Sequence, residues 1–359
     1  MKSRTRPNLG LASGAGVVRL RTKASVWRKN WCVVKEERSA IDVVYSLTSN
    51  HLDTYGGRED LAMNLSGERT MPSPRGWVLV AGRDGDTLLP LLRTADRRAK
   101  ELDAGLMVSW FSGRSPKGSS SPQRVLDRLK EATGRDDTQL EVHTSWRRFR
   151  ISLEARIRED EPRLVVVSGE PGKSWDSLRP NTSDLAIRQA RVPVLVTRAS
   201  ARSGRILVAT DLLDDRFPAV RAAAQEAHRR GAQVTAVHCL RLQPVFPGPG
   251  HGTEWSSEPP IGPSDKTRER ADRWMDEALR LGELNANPLI VEGDPVTRVS
   301  NLTSELAAEL LVIGARPKSP WQRWVLGSIA EPLAQRVPCP VLVVPLSREV
   351  RPSFDERGA

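Results

Sequence analysis

The sequence predicts an α/β protein made of two repeated five-stranded parallel-sheet α/β/α domains. Three observations predict it. Short unbroken runs such as WVLVA (77–81), LVVVS (164–168), RILVAT (205–210) and LLVIG (310–314) read as strands covered on both faces, because a strand with one wet face would alternate. Amphipathic stretches of helical period separate these runs. The whole succession then occurs twice: VLVAG (78–82) is answered by ILVAT (206–210), and PVLVTR (193–198) by PVLVVP (340–345), the mark of an internal repeat.

In the first domain, 76–198, strands are expected at 77–81, 106–111, 140–143, 164–168 and 194–197. A helix over 88–102 places Leu88, Leu91, Leu92, Ala95 and Ala99 on one face. A second over 122–132 turns Val125, Leu126 and Leu129 inward, and a third covers 151–159. A polar, basic linker, 198–204, leads to the second domain, 204–346. Its strands are expected at 205–210, 233–240, 288–293, 310–314 and 341–344, with helices at 217–230, 267–281 and 295–309 and a fourth opening at Gly327-Ser328. The Pro- and Gly-rich stretch LQPVFPGPGHG (242–252) reads as a surface insertion, and 347–359 as a disordered tail.

Residues 1–75 differ from the rest. Basic residues run from Lys2 to Lys29 with no acid before Glu36, and no sustained helical or strand period follows, which favours a disordered basic extension. A transit-like or phosphate-attracting arm is a second reading. A third is that Met71, directly before PSPRGWVLVAG, is the true start and the upstream residues a misassigned extension.

Composition excludes several classes. The formal net charge is +11 over 359 residues, but acids are interspersed with the bases, so an Arg-rich solvated surface is favoured over nucleic-acid binding. Cys32, Cys239 and Cys339 lie far apart without metal-ligand or disulfide spacing. No apolar run approaches the ~18 residues that span a bilayer. A soluble protein of a reducing compartment is expected.

Chemistry is expected in the loop after the fourth strand of the second domain, since ligands of parallel sheets lie beyond the strands' carboxyl ends and free amides at a helix start attract phosphate. In the second domain Gly314, two residues, Pro317, nine residues and Gly327-Ser328 follow the strand; in the first, Gly169, two residues, Gly172, nine residues and Thr182-Ser183. This spacing, with the strand before and the helix after, resembles the glycine motif of the universal stress protein family, in a tandem two-domain form. The resemblance covers 204–346 well and 76–198 weakly. It implies the adenine nucleotide alpha hydrolase-like, Rossmann-like fold, the two domains packed as a pseudo-dimer, and a regulatory cytoplasmic bacterial protein of the stress response. It also implies ATP or another adenine nucleotide as ligand, with or without Mg2+. The family's strand-one aspartate falls on Asp211, and Cys239, Ile313, Gly314, Gly327, Ser328 and Ile329 match its nucleotide contacts. Arg316 is placed to meet a phosphate.

Pro317 departs from the motif: it has no amide hydrogen and its φ is fixed near −65°. Ser328 also reads as a plain helix cap, and Asp211 as a loop carboxylate that caps the following helix. In the first domain the position of Asp211 falls to Arg83, or to Gly82 with a one-residue shift, so that domain is expected to be structural. VVVSGEPGKS (165–174) lacks the first glycine of a P-loop. His238 and Cys239 are adjacent on a strand and so face opposite ways. Trp321 and Trp324 read as packing aromatics. No residue pattern supplies a general base, a nucleophile or a metal site. Two alternatives stand beside nucleotide binding: an interaction protein of the same fold that needs no nucleotide, and nucleic-acid contact through the basic arm. Homodimerisation of the whole chain stays open.

Overall fold

The computed structural model describes residues 35–37, 40–46, 76–84, 88–112, 122–135, 138–169, 182–189, 191–200, 203–241, 262–316 and 329–346. Two strands, β1 (Lys35–Glu37) and β2 (Ala40–Ser46), precede the first repeat. That repeat runs β3 (Trp77–Arg83), α1 (Leu88–Glu101), β4 (Gly105–Phe111), α2 (Pro122–Thr133), β5 (Gln139–His143), α3 (Trp146–Glu159), β6 (Leu164–Ser168), α4 (Thr182–Gln189) and β7 (Val194–Thr197). The second runs β8 (Arg205–Ala209), α5 (Pro218–Arg230), β9 (Gln233–Leu240), α6 (Asp265–Leu281), β10 (Ala286–Glu292), α7 (Pro295–Glu305), β11 (Leu310–Ala315), α8 (Ala330–Arg336) and β12 (Val341–Pro345).

The described strands join one twelve-stranded sheet in the order β1-β2-β5-β4-β3-β6-β7-β12-β11-β8-β9-β10. Within each repeat the five strands are parallel. Each repeat keeps the same strand order, and the two meet where their fifth strands pair antiparallel, Val194 opposite Val343 and Val196 opposite Val341. The arrangement is a pseudo-dimer inside one chain. The unbroken apolar runs are explained by helices on both faces. Val78, Val80, Ile206 and Val208 pack on the side of α1, α2, α5 and α6. Leu79, Ala81, Leu207 and Leu311 pack on the side of α3, α4, α7 and α8.

Several boundaries differ from the expectation, each for a local reason. Helix α3 begins at Trp146, five residues before the expected start. Its arginine-rich first turn hides the period, although Phe149, Leu153 and Ile157 form the buried stripe at spacing four. Helix α7 ends at Glu305 because Ala307 takes left-handed backbone (φ 47°) and the Glu309 amide donates to Arg205 O, already in the sheet. Helix α8 begins at Ala330, two residues beyond Ser328. Residues 1–75 were expected to be without regular structure, yet β2 pairs antiparallel with β5, Val43 opposite Val142 and Tyr45 opposite Leu140. The strand-forming AIDVVYS segment meets the backbone groups β5 would otherwise leave unpaired. The tail, 347–359, lies outside the described residues.

Charged groups cross the joint between repeats on both sheet faces. On one, the Glu226 carboxylate, fully buried, accepts from Arg98 Nη2 of the other repeat at 2.5 Å, from Arg230 Nε at 3.0 Å, and from Arg229. Arg230 also reaches Glu309 at 3.1 Å. Burial alone would raise the Glu226 pKa; the guanidiniums reverse this and hold the carboxyl below its ordinary value. On the other face Arg198 donates to the carbonyl oxygens of Cys339 and Ala334, Arg188 pairs with Glu331 at 2.9 Å, and Gln335 donates to Asp184 at 3.0 Å.

Removing one partner of such a buried pair strands the others, at a cost of about 3–5 kcal/mol. Glu226→Ala is therefore expected to lose about that much in urea unfolding, whereas Arg128→Ala, which breaks an exposed pair with Glu131, should lose under ~1 kcal/mol. A second expectation concerns acid. Burial raises the Glu141 pKa, but His143, Arg156 and Ser152 together hold it down to about 2. A depressed carboxyl contributes stability present above its ordinary pKa and lost as pH falls through the folded one. The stability gap between wild type and Glu141→Gln should accordingly close as pH falls from about 4.5 to about 2, read by thermal melts across that range.

Candidate functional site

A cavity of about 690 Å³ opens at the carboxyl ends of β8, β9 and β11, within the usual size range of small-molecule pockets. Its floor is sheet: Ala209, Val237, Ile313 and Gly314. Its walls come from the loop before α5 (Leu213, Asp214, Phe217), the start of α7 (Pro295, Val299) and Leu346. Asp211 leaves the end of β8 and Cys239 stands near the end of β9; Ile329 borders the cavity from the start of α8. Thus Asp211, Cys239, Ile313, Gly314 and Ile329, five residues matched from sequence, meet at one cavity. Gly327, Ser328 and Pro317 lie outside the described residues.

Arg316 is brought to the same place in an unexpected role. Its Nη2 donates to Asp211 Oδ2 at 2.8 Å and its Nε to the same oxygen at 3.2 Å. The other oxygen, Oδ1, accepts the Leu213 amide at 3.0 Å. The carboxylate and the cation assigned to opposite ends of a ligand are therefore paired with each other, over a chain separation that no local motif reveals. Asp211 does not cap α5. Phe217 occupies that position without a side-chain cap, and Asp214 Oδ1 accepts the Arg216 amide at 3.0 Å. Leu212 and Phe217, both buried, hold left-handed backbone (φ 59° and 45°). Such backbone in bulky residues is costly and is sustained by the packing around it.

His238 and Cys239 do leave opposite faces of β9, yet both border the cavity, because it caps the strand end. His238 is deeply buried and Nδ1 lies 2.8 Å from Thr210 O; a carbonyl only accepts, so that nitrogen carries the proton. Burial lowers the His238 pKa, with the Thr210 hydrogen bond and Asp211 opposing, which keeps the ring neutral at neutral pH. Burial pushes the Cys239 thiol up to about 11, Arg298 opposing and Asp294 reinforcing the shift. Neither group is poised as a nucleophile. Thr210, Phe217 and Leu346 were not assigned to the site from sequence, and His238 was considered only as facing away from Cys239; Thr210 and Leu346 follow strand ends and Phe217 opens α5.

Gly314 is explained by packing: a Cβ there would sit 2.6 Å from Leu346 Cδ2. The sheet also corrects the comparison of repeats. Leu164 pairs with Val78 as Leu310 pairs with Ile206, so Ser168, not Gly169, is the counterpart of Gly314, and Arg83 is the counterpart of Asp211. Thr182 and Ser183 open α4 and are buried. Among the described residues no cluster of His, Cys, Asp and Glu could hold a metal ion, and the cavity's carboxylates already accept other hydrogen bonds, so the donor set does not fit a protein-held Mg2+. Among the described residues no helix is long and apolar enough to cross a membrane.

Comparison with known proteins agrees with this architecture. The model of the universal stress protein family matches residues 203–345. A universal stress protein of Thermus aquaticus is 30% identical over 141 residues, 39% of this chain and 96% of that one. One of Methanocaldococcus jannaschii is 26% identical over 143 residues, 39% of this chain and 81% of that one. Among solved structures, a universal stress protein from Archaeoglobus fulgidus superposes with a TM-score of 0.51 at 15% identity, over 76% of this chain and 97% of that one. A protein of unknown function from Pseudomonas aeruginosa PAO1 gives 0.52 at 17%, over 75% and 92%. These two likenesses extend beyond either repeat alone, at the level of fold.

Two measurements check the site. Gly314→Ala forces Leu346 aside and should cost about 1–3 kcal/mol in urea unfolding. At pH 8 iodoacetamide should label Cys239, followed by peptide mass, about tenfold more slowly than an ordinary exposed thiol, since a scarcer thiolate outweighs its greater nucleophilicity.

Proposed function

The chain belongs to the universal stress protein family, and on that premise we propose that its second repeat binds ATP or another adenine nucleotide in the cavity at the ends of β8, β9 and β11. The observation that carries this reading is the meeting of Asp211, Cys239, Ile313, Gly314 and Ile329 at one cavity, with Arg316 joined to Asp211. Ala209, Val237, Ile313 and Val299 offer an apolar slot for a planar base. Asp211 offers a carboxylate to the nucleoside, and Arg316, once released from it, a cation to phosphate.

Binding in this reading exchanges one ion pair for two ligand contacts. The Asp211–Arg316 pair is partly exposed and worth little by itself, so the exchange costs little. Mg2+ would arrive on the phosphates. By the family resemblance Gly327 and Ser328 would offer amides and a hydroxyl to the phosphates, and Pro317 lacks one amide that the family motif supplies. The role is regulatory: occupancy changes the surface around the cavity that a protein partner reads. The nucleotide-independent alternative is favoured by one observation, that Asp211 and Arg316 already satisfy each other.

Isothermal titration of ATP, ADP and AMP into the full chain decides between them. Saturable binding is expected, weakened roughly tenfold or more by Asp211→Ala through loss of a charged hydrogen bond of ~1.5–3 kcal/mol. No saturable heat, or equal affinity in the variant, would contradict the assigned site.

A further inference from the structure

The first repeat contains the counterpart of every strand that borders the cavity; the VLVAG and ILVAT runs match Val78 with Ile206 on the same sheet face, and register carries the equivalence to the neighbouring strands. Val78 pairs with Leu106 as Ile206 pairs with Val234. Gly82 therefore stands for Thr210, Arg83 for Asp211, Trp110 for His238 and Phe111 for Cys239. Aligned by their cap residues Ser145 and Asp294, α3 and α7 place Trp146 at the position of Pro295. Thr210, Asp211, His238, Cys239 and Pro295 all line the open cavity.

In the first repeat three of these five positions, 110, 111 and 146, carry aromatic rings. The Trp110 ring lies across the end of β3 so closely that a methyl at Gly82 would overlap its six-membered ring. Its Nε1–H donates to Asp84 Oδ1 at 3.1 Å, and Ser112 Oγ donates to Asp84 Oδ2 at 3.2 Å. Trp110 is 2% exposed. On the other sheet face Phe111 meets Trp146 edge-on with centroids 5.3 Å apart, and Phe149 packs against both at 5.3 and 6.0 Å.

We infer that the first repeat is a filled copy of the same cavity, in which the Trp110 indole is a built-in ligand: a planar heteroaromatic presenting a ring N–H to the Asp84 carboxylate. The loss of side chain at Gly82 makes room for it, and Asp84, one residue beyond the position of Asp211, receives its polar edge. Phe111, Trp146 and Phe149 close the other face. The first repeat thus holds the filled state permanently, and of the two equivalent strand-end positions the one in the second repeat is open. The latent site is specific for indole-like N–H heteroaromatics. This goes beyond the nucleotide reading and does not rest on it, because no nucleotide enters the experiment.

A double-mutant cycle in the full chain tests it. Gly82→Thr and Trp110→His each restore one residue of the open cavity. Alone, Gly82→Thr collides with the ring and Trp110→His leaves a void, so each should lower the melting temperature by several degrees. Together they remove the collision, and the double variant should melt above Gly82→Thr alone. A fall equal to the sum of the singles would overturn the inference. Trp110→Gly supplies an independent arm. Added indole should raise its melting temperature saturably and restore amide protection at 80–84 and 108–112, with 1-methylindole, which has no N–H, about tenfold weaker. A folded Trp110→Gly protein that takes up neither compound, or both equally, would also overturn it.

Discussion

The antiparallel pairing of β7 with β12 is the constraint on which the rest depends. Val194, Leu195 and Val196 face Val343, Leu342 and Val341, and this short ladder turns two parallel sheets into one. Each strand so joined is the fifth of its repeat, which fixes the two repeats about a pseudo-two-fold axis. Helix α1 then lies where Arg98 can reach Glu226 of α5, and α4 lies where Asp184 and Arg188 meet Gln335 and Glu331 of α8. A carboxylate as buried as Glu226 is tolerable only because three guanidiniums converge on it.

The joint and the cavity share elements. Helix α5 starts against the cavity with Phe217 and Pro218 and carries Glu226 toward the joint two turns later. Strands β11 and β12 carry the cavity's Gly314 and lead into Leu346, while β12 also forms the ladder to the first repeat. The second repeat is thus held against a neighbour in which Trp110 lies over the end of β3 on one sheet face and Phe111, Trp146 and Phe149 cluster on the other. One unit is open to a ligand, and the other acts as the fixed half of an internal dimer.

Much of the fold was legible because burial on both faces leaves a plain trace. The runs at 164–168, 194–197 and 233–240 are strands with the expected bounds. The arginine-rich first turn obscured the start of α3, and the charged and polar residues on either side of Ala40–Ser46 hid β2. At the site, residues at strand ends could be placed by position, as Asp211 and Ile313 were. The Asp211–Arg316 pair could not, since the two residues lie 105 apart in the chain and meet only because β11 lies beside β8 in the sheet. Nor could the filling of the first repeat, because a glycine at 82 reads as a lost side chain until Trp110 is seen lying over it. Glycine spacing also misled by one residue, pairing Gly169 with Gly314 where the sheet pairs Ser168.

The central claim is that, of the two equivalent strand-end sites, the second repeat's is open and the first repeat's is filled by Trp110. Equilibrium dialysis of labelled ATP against the full chain, combined with hydrogen exchange, tests it most directly. The account predicts one equivalent bound per chain at saturation, with protection gained at 209–213, 237–241 and 313–316 and none at 82–84 or 110–112. Two equivalents per chain, or protection at the first repeat's strand ends, would contradict it.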